Sequence, residues 1–346
     1  MTTTSASEPA STAATRRPGA LLVMNEASYR AALSPESLAR LGESVDLLVP
    51  GPLTDVAALP DDVLARTEVL ITGWGAAPIT PNADRLPALR ALVHTAGTVK
   101  HLVTPDMMRA GLAVSTATAV NARPVAEFAT AAIIFALKRV PAARANFLQT
   151  RDKRGAGYQA GIGAHGGTVG LIGASRVARA MKPWLDLLEI RVVVSDPYLD
   201  PADAAALGWE LVDLDTLLRR SDVVSLHAPS TPETAGMLGA AQFASMKDGA
   251  TFINTARGAL IDHDALAAEA AAGRLDAMLD VTDPEPLPAD HPLWELPNVW
   301  ITPHIAGSIG DEVLRLGASA VDEVERFVAG EPFERPVEVE TWALIG

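Results

Sequence analysis

The stretch "GLIGASRVARA" (170–180) sets three small residues, Gly173, Ser175 and Ala178, at the spacing of a nucleotide-binding turn. In such a turn the first small residue makes the corner and the second lets backbone approach a pyrophosphate. The third lets the following helix pack on its strand. Ser175 stands where a glycine is usual; it is small enough to admit that approach, and its hydroxyl can donate to the phosphate oxygens. The turn joins the apolar run "TVGLI" (168–172) to the helical pattern "RVARAMKPWLDLL". Asp196 ends the next apolar run, 23 residues beyond Gly173. An acid at roughly 20 residues meets the adenosine ribose hydroxyls. Strand, turn, helix and acid are in register and predict a dinucleotide site.

Three further segments carry candidate chemistry: "INTARGALIDHDAL" (253–266), "LDVTDPEPLPADHPL" (279–293) and "NVWITPHIAGS" (298–308). Each contains or follows a strand-like run, and open α/β sheets bind ligands at the carboxyl ends of their strands. Arg257, Glu285 and His304 can therefore converge on one crevice. Singly, each has a structural reading: a helix cap or surface ion pair, a solvated loop acid, a packed histidine. Three at successive strand ends point to a site.

The elements that position these residues are legible as alternation. Apolar runs at "ALLVM" (20–24), "VDLLV" (45–49), "VLIT" (69–72), "ALVHT" (91–95) and "LAVST" (112–116) predict five strands. Their unbroken apolar character suits a parallel sheet covered on both faces. "YRAALSPESLARL", "LPDDVLARTE" and "TPDMMRAG" read as intervening helices with Ser, Thr or Asp at their caps. After Asn121 a long helix is expected, opened by Pro124 and interrupted near Pro141. A Gly-rich link (154–167) follows. Six more strands are predicted at "TVGLI" (168–172), "RVVVS" (191–195), "VVSLH" (223–227), "TFINT" (251–255), "AMLDV" (277–281) and "VWITP" (299–303). They make a second doubly wound sheet. A helical run over 311–328 and a polar tail end the chain.

The 346 residues suffice for two domains with real cores. A net charge of −14 repels phosphate backbones and argues against nucleic-acid partners. With no cysteine, disulfides and thiolate metal sites are excluded, and no metal site is expected. The longest apolar stretch, "FATAAIIFAL" (128–137), is too short to span a bilayer and suits a buried helix. Residues 1–18, rich in Ser, Thr and Ala, lack an apolar signal core and read as a disordered tail. A cytoplasmic protein without membrane partners is expected.

From about Ala20 to Val339 the chain resembles the D-isomer-specific 2-hydroxyacid dehydrogenases. "NTARG", "LDV…EP" and "TPHIAG" carry the resemblance, with "SLHAPSTPETAGML" (225–238) in support. It implies an α/β fold of two doubly wound parallel-sheet domains, a larger Rossmann NAD-binding one and a smaller flavodoxin-like substrate domain. The implied division is 19–121 for the first substrate-domain segment, 122–307 for the NAD-binding domain and 308–346 for the return. It also implies catalysis by Arg257, Glu285 and His304. The arginine fork holds a carboxylate and polarises the adjacent carbonyl. The imidazole gives a proton in reduction and takes it in oxidation, and the glutamate orients it. Substrate contacts are implied at Trp74, Ala96 and Gly97, the last two in "TAGTV" (95–99). Cofactor contacts are implied at Gly173, Ser175, Arg176, Val177, Asp196, His227, Pro229, Thr234, Thr255, Ala256, Asp280, His304 and Gly307. NAD is the implied cofactor, a small 2-oxo or 2-hydroxy acid the substrate, and a homodimer the assembly. In support of the last, the helix "AEFATAAIIFALKRV" is more apolar than one-sided burial requires.

Departures from the family pattern narrow the expectation. Ser175 replaces the second glycine, and Thr282 stands where an aromatic often follows "DV". No cation accompanies Trp74 where phosphoglycerate dehydrogenases meet a phosphate, so an unphosphorylated acid is expected. Ala96 replaces the lysine of phosphite dehydrogenases, and Glu285 the glutamine of formate dehydrogenases. The alternatives are phosphoglycerate dehydrogenase, an NAD(H)-sensing regulator of the corepressor type, and a catalytically dead scaffold.

Overall fold

The structure, a computed structural model, describes residues 16–153 and 163–344. The tail expected over 1–18 lies outside them except for Arg16, Arg17 and Pro18, and the Gly-rich link is described only from Gly163. Arg16 pairs with Glu68, and Arg17 with Asp46.

Two all-parallel sheets form the molecule. The first contains β1 (Gly19–Val23), β2 (Asp46–Leu47), β3 (Thr67–Thr72), β4 (Ala91–His94) and β5 (Ala113–Thr116), in the order β2-β1-β3-β4-β5. The second contains β6 (Thr168–Ile172), β7 (Arg191–Ser195), β8 (Glu210–Leu211), β9 (Val223–Leu226), β10 (Thr251–Asn254), β11 (Asp276–Leu279) and β12 (Val299–Ile301). Its order is β12-β11-β10-β9-β6-β7-β8. Strands β1, β3, β4, β6, β9, β10 and β11 are buried at nearly every position, as helices on both faces require. The second sheet reverses direction at β6, which pairs with β7 on one side and β9 on the other. Such a switch point opens a crevice at the carboxyl ends of the strands.

Three expectations are corrected. The second predicted strand shrinks to Asp46–Leu47, exposed at the sheet edge, while Leu48 and Val49 turn in to pack on the core. A seventh strand, β8, joins the second sheet at its edge; two residues are too short a run to be read as a strand. Pro124 does not open its helix. The helix runs Thr118–Leu137, started early because the Ala117 amide bonds the carbonyls of His94 and Ala96, which fixes the chain at that point. The break expected near Pro141 falls at Arg139, whose left-handed φ of 48° precedes a new helix, Val140–Thr150.

By length and composition alone the Thr118–Leu137 helix is able to cross a membrane, yet half of it is buried within the protein. It packs on the helix Arg176–Leu185 and on β9 and β10. The last long helix, Glu312–Ala329, packs on the first sheet's helices Glu26–Ala32 and Pro35–Ser44 and on β4 and β5.

Two buried histidines make this fold acid-sensitive. Burial, with His101 adding a smaller repulsion, pushes His94 down to about 3; burial alone pushes His227 down to about 4. Each keeps one hydrogen bond, His94 with Thr72 and His227 with Ser225. In the unfolded chain both titrate near 6.5. Between about pH 6.5 and 4 the unfolded state therefore binds protons that the folded state refuses, and stability falls as pH falls. The slope is roughly 1.4 kcal/mol per pH unit for each histidine. Denaturant midpoints should drop from pH 7 to pH 5, and drop less in a His94→Asn/His227→Asn double variant. Equal slopes for parent and variant would remove these histidines as the cause.

Candidate active site

At the β6 switch point the turn is built as a phosphate cradle. Gly173 has φ +94°, and a Cβ there would stand 2.8 Å from the Ala228 amide nitrogen, so only glycine fits. Ser175 caps the helix Arg176–Leu185, its Oγ accepting from the Ala178 amide at 3.4 Å. Serine is a preferred cap, which gives a local reason for it here. Because Oγ acts as acceptor, its proton is left to donate outward. The first-turn amides of Arg176 and Val177 have no acceptor within the helix, and the positive helix end faces an incoming anion. Asp196 ties the turn to β7. One carboxylate oxygen accepts from the Ala174 amide at 2.7 Å, and the other from the Tyr198 amide at 2.8 Å. Each oxygen retains a lone pair for a ribose hydroxyl. Thr255, just past β10, has a buried hydroxyl with no partner among the described residues, a bonding capacity that a bound carboxamide would satisfy. The residues present fit a dinucleotide.

Other expected cofactor residues are engaged locally. His227 bonds Ser225, the Thr234 hydroxyl donates to the Pro229 carbonyl, and the Ala256 amide donates to Asn254.

The catalytic candidates meet across loops of the same sheet. His304 Nδ1 lies 2.8 Å from Glu285 Oε1, and both side chains are about half exposed. His304 has φ +55°, a costly conformation for a non-glycine residue and one that the surroundings must enforce. Asp280 enforces it. Its backbone carbonyl accepts from the His304 amide, and its carboxylate accepts from Thr302 Oγ1 at 2.6 Å and from the Ile305 and Ala306 amides at 2.8 and 2.9 Å. The buried Asp280 carboxylate, expected near a nicotinamide, also braces the histidine loop through these bonds.

Arg257 follows β10. Asn254 braces its turn, accepting from the Ala256 amide and donating to the Arg257 carbonyl. A Cβ at Gly258 would collide with the Thr282 backbone; its absence lets the arginine turn press against the loop carrying Glu285. Burial lowers the proton affinity of the Arg257 guanidinium, and the charge of Glu285 opposes that effect. Among the described residues it donates one hydrogen bond, to the Ala256 carbonyl at 2.6 Å. Among the described residues no carboxylate forms an ion pair with it. A desolvated guanidinium so placed is a receptor for an anion.

The first sheet contributes its own strand ends. Trp74, 43% exposed, is fixed through its carbonyl, which accepts from the Asn25 amide and the Ser28 hydroxyl. Ala96 is buried, its carbonyl taken by the Ala117 amide, while the Gly97 carbonyl accepts from the Thr118 hydroxyl. Both loop carbonyls thus face inward to the helix start. Where the chain crosses between sheets, Asn121 Oδ1 accepts from the Ser308 amide at 2.8 Å, next to Gly307. Asn121 and Asn254 were not singled out from sequence as site residues, although "NTARG" contains one of them. A cavity lined by Arg139, Asn146 and Asn298 lies elsewhere, at the amino end of β11, and takes no part in this site.

The fold, the cradle and the strand-end residues define a dehydrogenase architecture with a Rossmann NAD-binding domain. Residues 130–306 match the family described as D-isomer specific 2-hydroxyacid dehydrogenase, NAD binding domain. The chain belongs to the D-isomer-specific 2-hydroxyacid dehydrogenase family. It is 36% identical over 306 residues, 86% of its length, to the D-3-phosphoglycerate dehydrogenase of Mycobacterium tuberculosis. It spans only 56% of the length of that relative. Among solved structures it resembles a phosphoglycerate oxidoreductase from Rhizobium etli (TM-score 0.77, 27% identity, 93% of this chain and 99% of that one). It also resembles the D-lactate dehydrogenase of Aquifex aeolicus complexed with NAD and lactic acid (TM-score 0.68, 25% identity, 90% and 96%).

Proposed function

We propose that the protein is a cytoplasmic, NAD-dependent D-2-hydroxyacid dehydrogenase for a small, unphosphorylated 2-oxo or 2-hydroxy acid, with no nucleic-acid or membrane partner. The observation that carries this reading is the His304–Glu285 pair set beside an anion-seeking Arg257. The Arg257 fork holds the substrate carboxylate and polarises the neighbouring carbonyl. Bound NADH supplies the hydride. As charge builds on the substrate oxygen, His304 delivers a proton from Nε2, since Nδ1 is committed to Glu285. In oxidation the same nitrogen removes the hydroxyl proton. Glu285 holds ring and tautomer.

Phosphoglycerate dehydrogenase is the second reading, supported by the 36% identity to that enzyme. The exposed Trp74, without an adjoining cation, favours the first. Steady-state assays with NADH and glyoxylate, hydroxypyruvate, pyruvate and 3-phosphohydroxypyruvate separate them. Turnover with the unphosphorylated acids supports the proposal; a clear preference for the phosphorylated one installs the alternative. NADH binding without turnover of any acid would point to a sensor.

The proposed division assigns 19–121 and 308–346 to a substrate domain and 122–307 to the cofactor domain. The packing of Glu312–Ala329 against the first sheet supports it. A homodimer is proposed through the face of the helices Thr118–Leu137 and Val140–Thr150. Ile134, Phe135, Phe147 and Leu148 there are 39–47% exposed, and a contiguous apolar face marks an interface. Light scattering should give twice the 36.2 kDa chain mass; a monomer at micromolar concentration would remove this assignment.

A further inference from the structure

We infer that Thr282 is a positioning residue: its hydroxyl fixes the segment that carries Glu285, and so sets where Glu285 holds His304. This rests on the proposed dehydrogenase reading. Beyond β11 the chain runs through Asp280, Val281 and Thr282, and the two polar side chains brace the two halves of the proton-transfer pair. Asp280 holds the histidine loop through the Ile305 and Ala306 amides. Thr282 Oγ1 donates to the Pro284 carbonyl at 2.9 Å, at the peptide that joins Pro284 to Glu285. Val281, between them, is buried and anchors both.

The segment 283–286 has little else to hold it. It reads Asp-Pro-Glu-Pro and offers only two backbone amides, because proline has none. Among the described residues neither amide meets an acceptor. The segment there takes part in two hydrogen bonds, Thr282 with Pro284 and Glu285 with His304. All four of its residues are exposed, and the next anchor is Leu287, buried in the second sheet's core. Thr282 itself is 7% exposed, so water competes poorly for its hydroxyl, and a hydrogen bond so shielded is stronger than one at the surface. Its main chain is confined as well, because the Arg257 turn abuts it at Gly258 with no room for a Cβ between them. The hydroxyl therefore reaches from a fixed backbone to the loose segment, and it sets the position of Glu285 relative to the arginine turn.

The test compares Thr282→Val, which keeps the shape and removes the hydroxyl, with Thr282→Ser, which keeps the hydroxyl. Thermal melts confirm folding, and Thr282→Ala takes the place of the valine variant should that one fold poorly. With NADH and the best 2-oxo acid, Thr282→Val should lower kcat roughly 10–100-fold, the scale of a small misplacement of a reacting group. KM and the NADH dissociation constant should change less than about threefold, and Thr282→Ser should recover most of the loss. In a Glu285→Ala background, Thr282→Val should add less than about twofold, because the hydroxyl acts through that carboxylate. Spectra of the ¹⁵N-histidine-labelled protein read the same contact without turnover. Glu285 holds the neutral His304 ring with its proton on Nδ1. Thr282→Val should move the His304 nitrogen signals, identified by their loss in His304→Ala, toward those of Glu285→Ala. An unchanged kcat in Thr282→Val overturns the inference and leaves the dehydrogenase reading intact. So does a loss that persists in full beside Glu285→Ala, or one that Thr282→Ser fails to recover, since the threonine then serves packing alone. If no acid is turned over, the dehydrogenase reading falls and the spectra decide: signals moved toward those of Glu285→Ala keep the positioning role, and signals unmoved from the parent remove it.

Discussion

His304→Ala lowers the turnover number by about 10²–10⁴-fold, the range that loss of a positioned general acid produces, and leaves NADH binding in place. The separation of the two effects follows from how the loop is built. Among the described residues the imidazole bonds only Glu285, whereas the loop is held by Asp280 through backbone amides that alanine retains. Removing the ring therefore deletes a proton donor without dismantling its support. Alanine must still adopt the positive φ at 304, so a modest loss of stability accompanies the change. The measurements are kcat with the best 2-oxo acid and the NADH dissociation constant by fluorescence. An unchanged kcat would take His304 out of the mechanism; a lost NADH affinity would show that its role is structural.

The second large effect concerns the cofactor. NADH should be favoured over NADPH by at least about a hundredfold in kcat/KM, as a like-charge contact of several kcal/mol implies. In the proposed reading Asp196 faces the ribose, where the 2′-phosphate of NADPH would have to sit. Both of its oxygens are pinned by backbone amides, of Ala174 and Tyr198, so the carboxylate has no easy way to swing aside. The residues after it, Pro197, Tyr198, Leu199 and Asp200, bring no cation. Asp200 is itself occupied in capping the helix Pro201–Ala206. Arg179, the basic residue nearest the turn after Arg176, spends its Nε on the Ala174 carbonyl. Asp196→Ala should narrow the gap chiefly by weakening NADH. Comparable efficiencies with the two cofactors in the parent would show that Asp196 does not face the ribose.

What could be read from the chain alone tracks the range of the interactions involved. The buried strands announced themselves because a parallel strand covered on both faces must be apolar throughout. Gly173 and Asp196 were visible because a tight turn and its acid keep a fixed separation. β8 was invisible because a strand of two residues is too short to carry a periodicity. The start of the helix at Thr118 was misplaced because it is set by carbonyls of His94 and Ala96, more than 20 residues upstream in the chain. Asn121 and Asn254 escaped for the same reason: a side-chain amide becomes informative only once the fold shows what lies opposite it. Asp280 was noticed, but its neighbours were not, so the support its carboxylate gives to the His304 loop was not foreseen.

The bond between Asn121 and Ser308 joins the two places where the chain passes from one sheet to the other. Two crossings fastened side by side form one pivot, about which any relative motion of the sheets would have to turn. Asp280, Glu285, His304 and Arg257 all lie on the same side of that pivot. In the proposed enzyme, opening of the cleft would carry His304, Glu285 and their Asp280 brace together as one body. The loops of the first sheet would form the other jaw, so that closure would reassemble the site without rebuilding it.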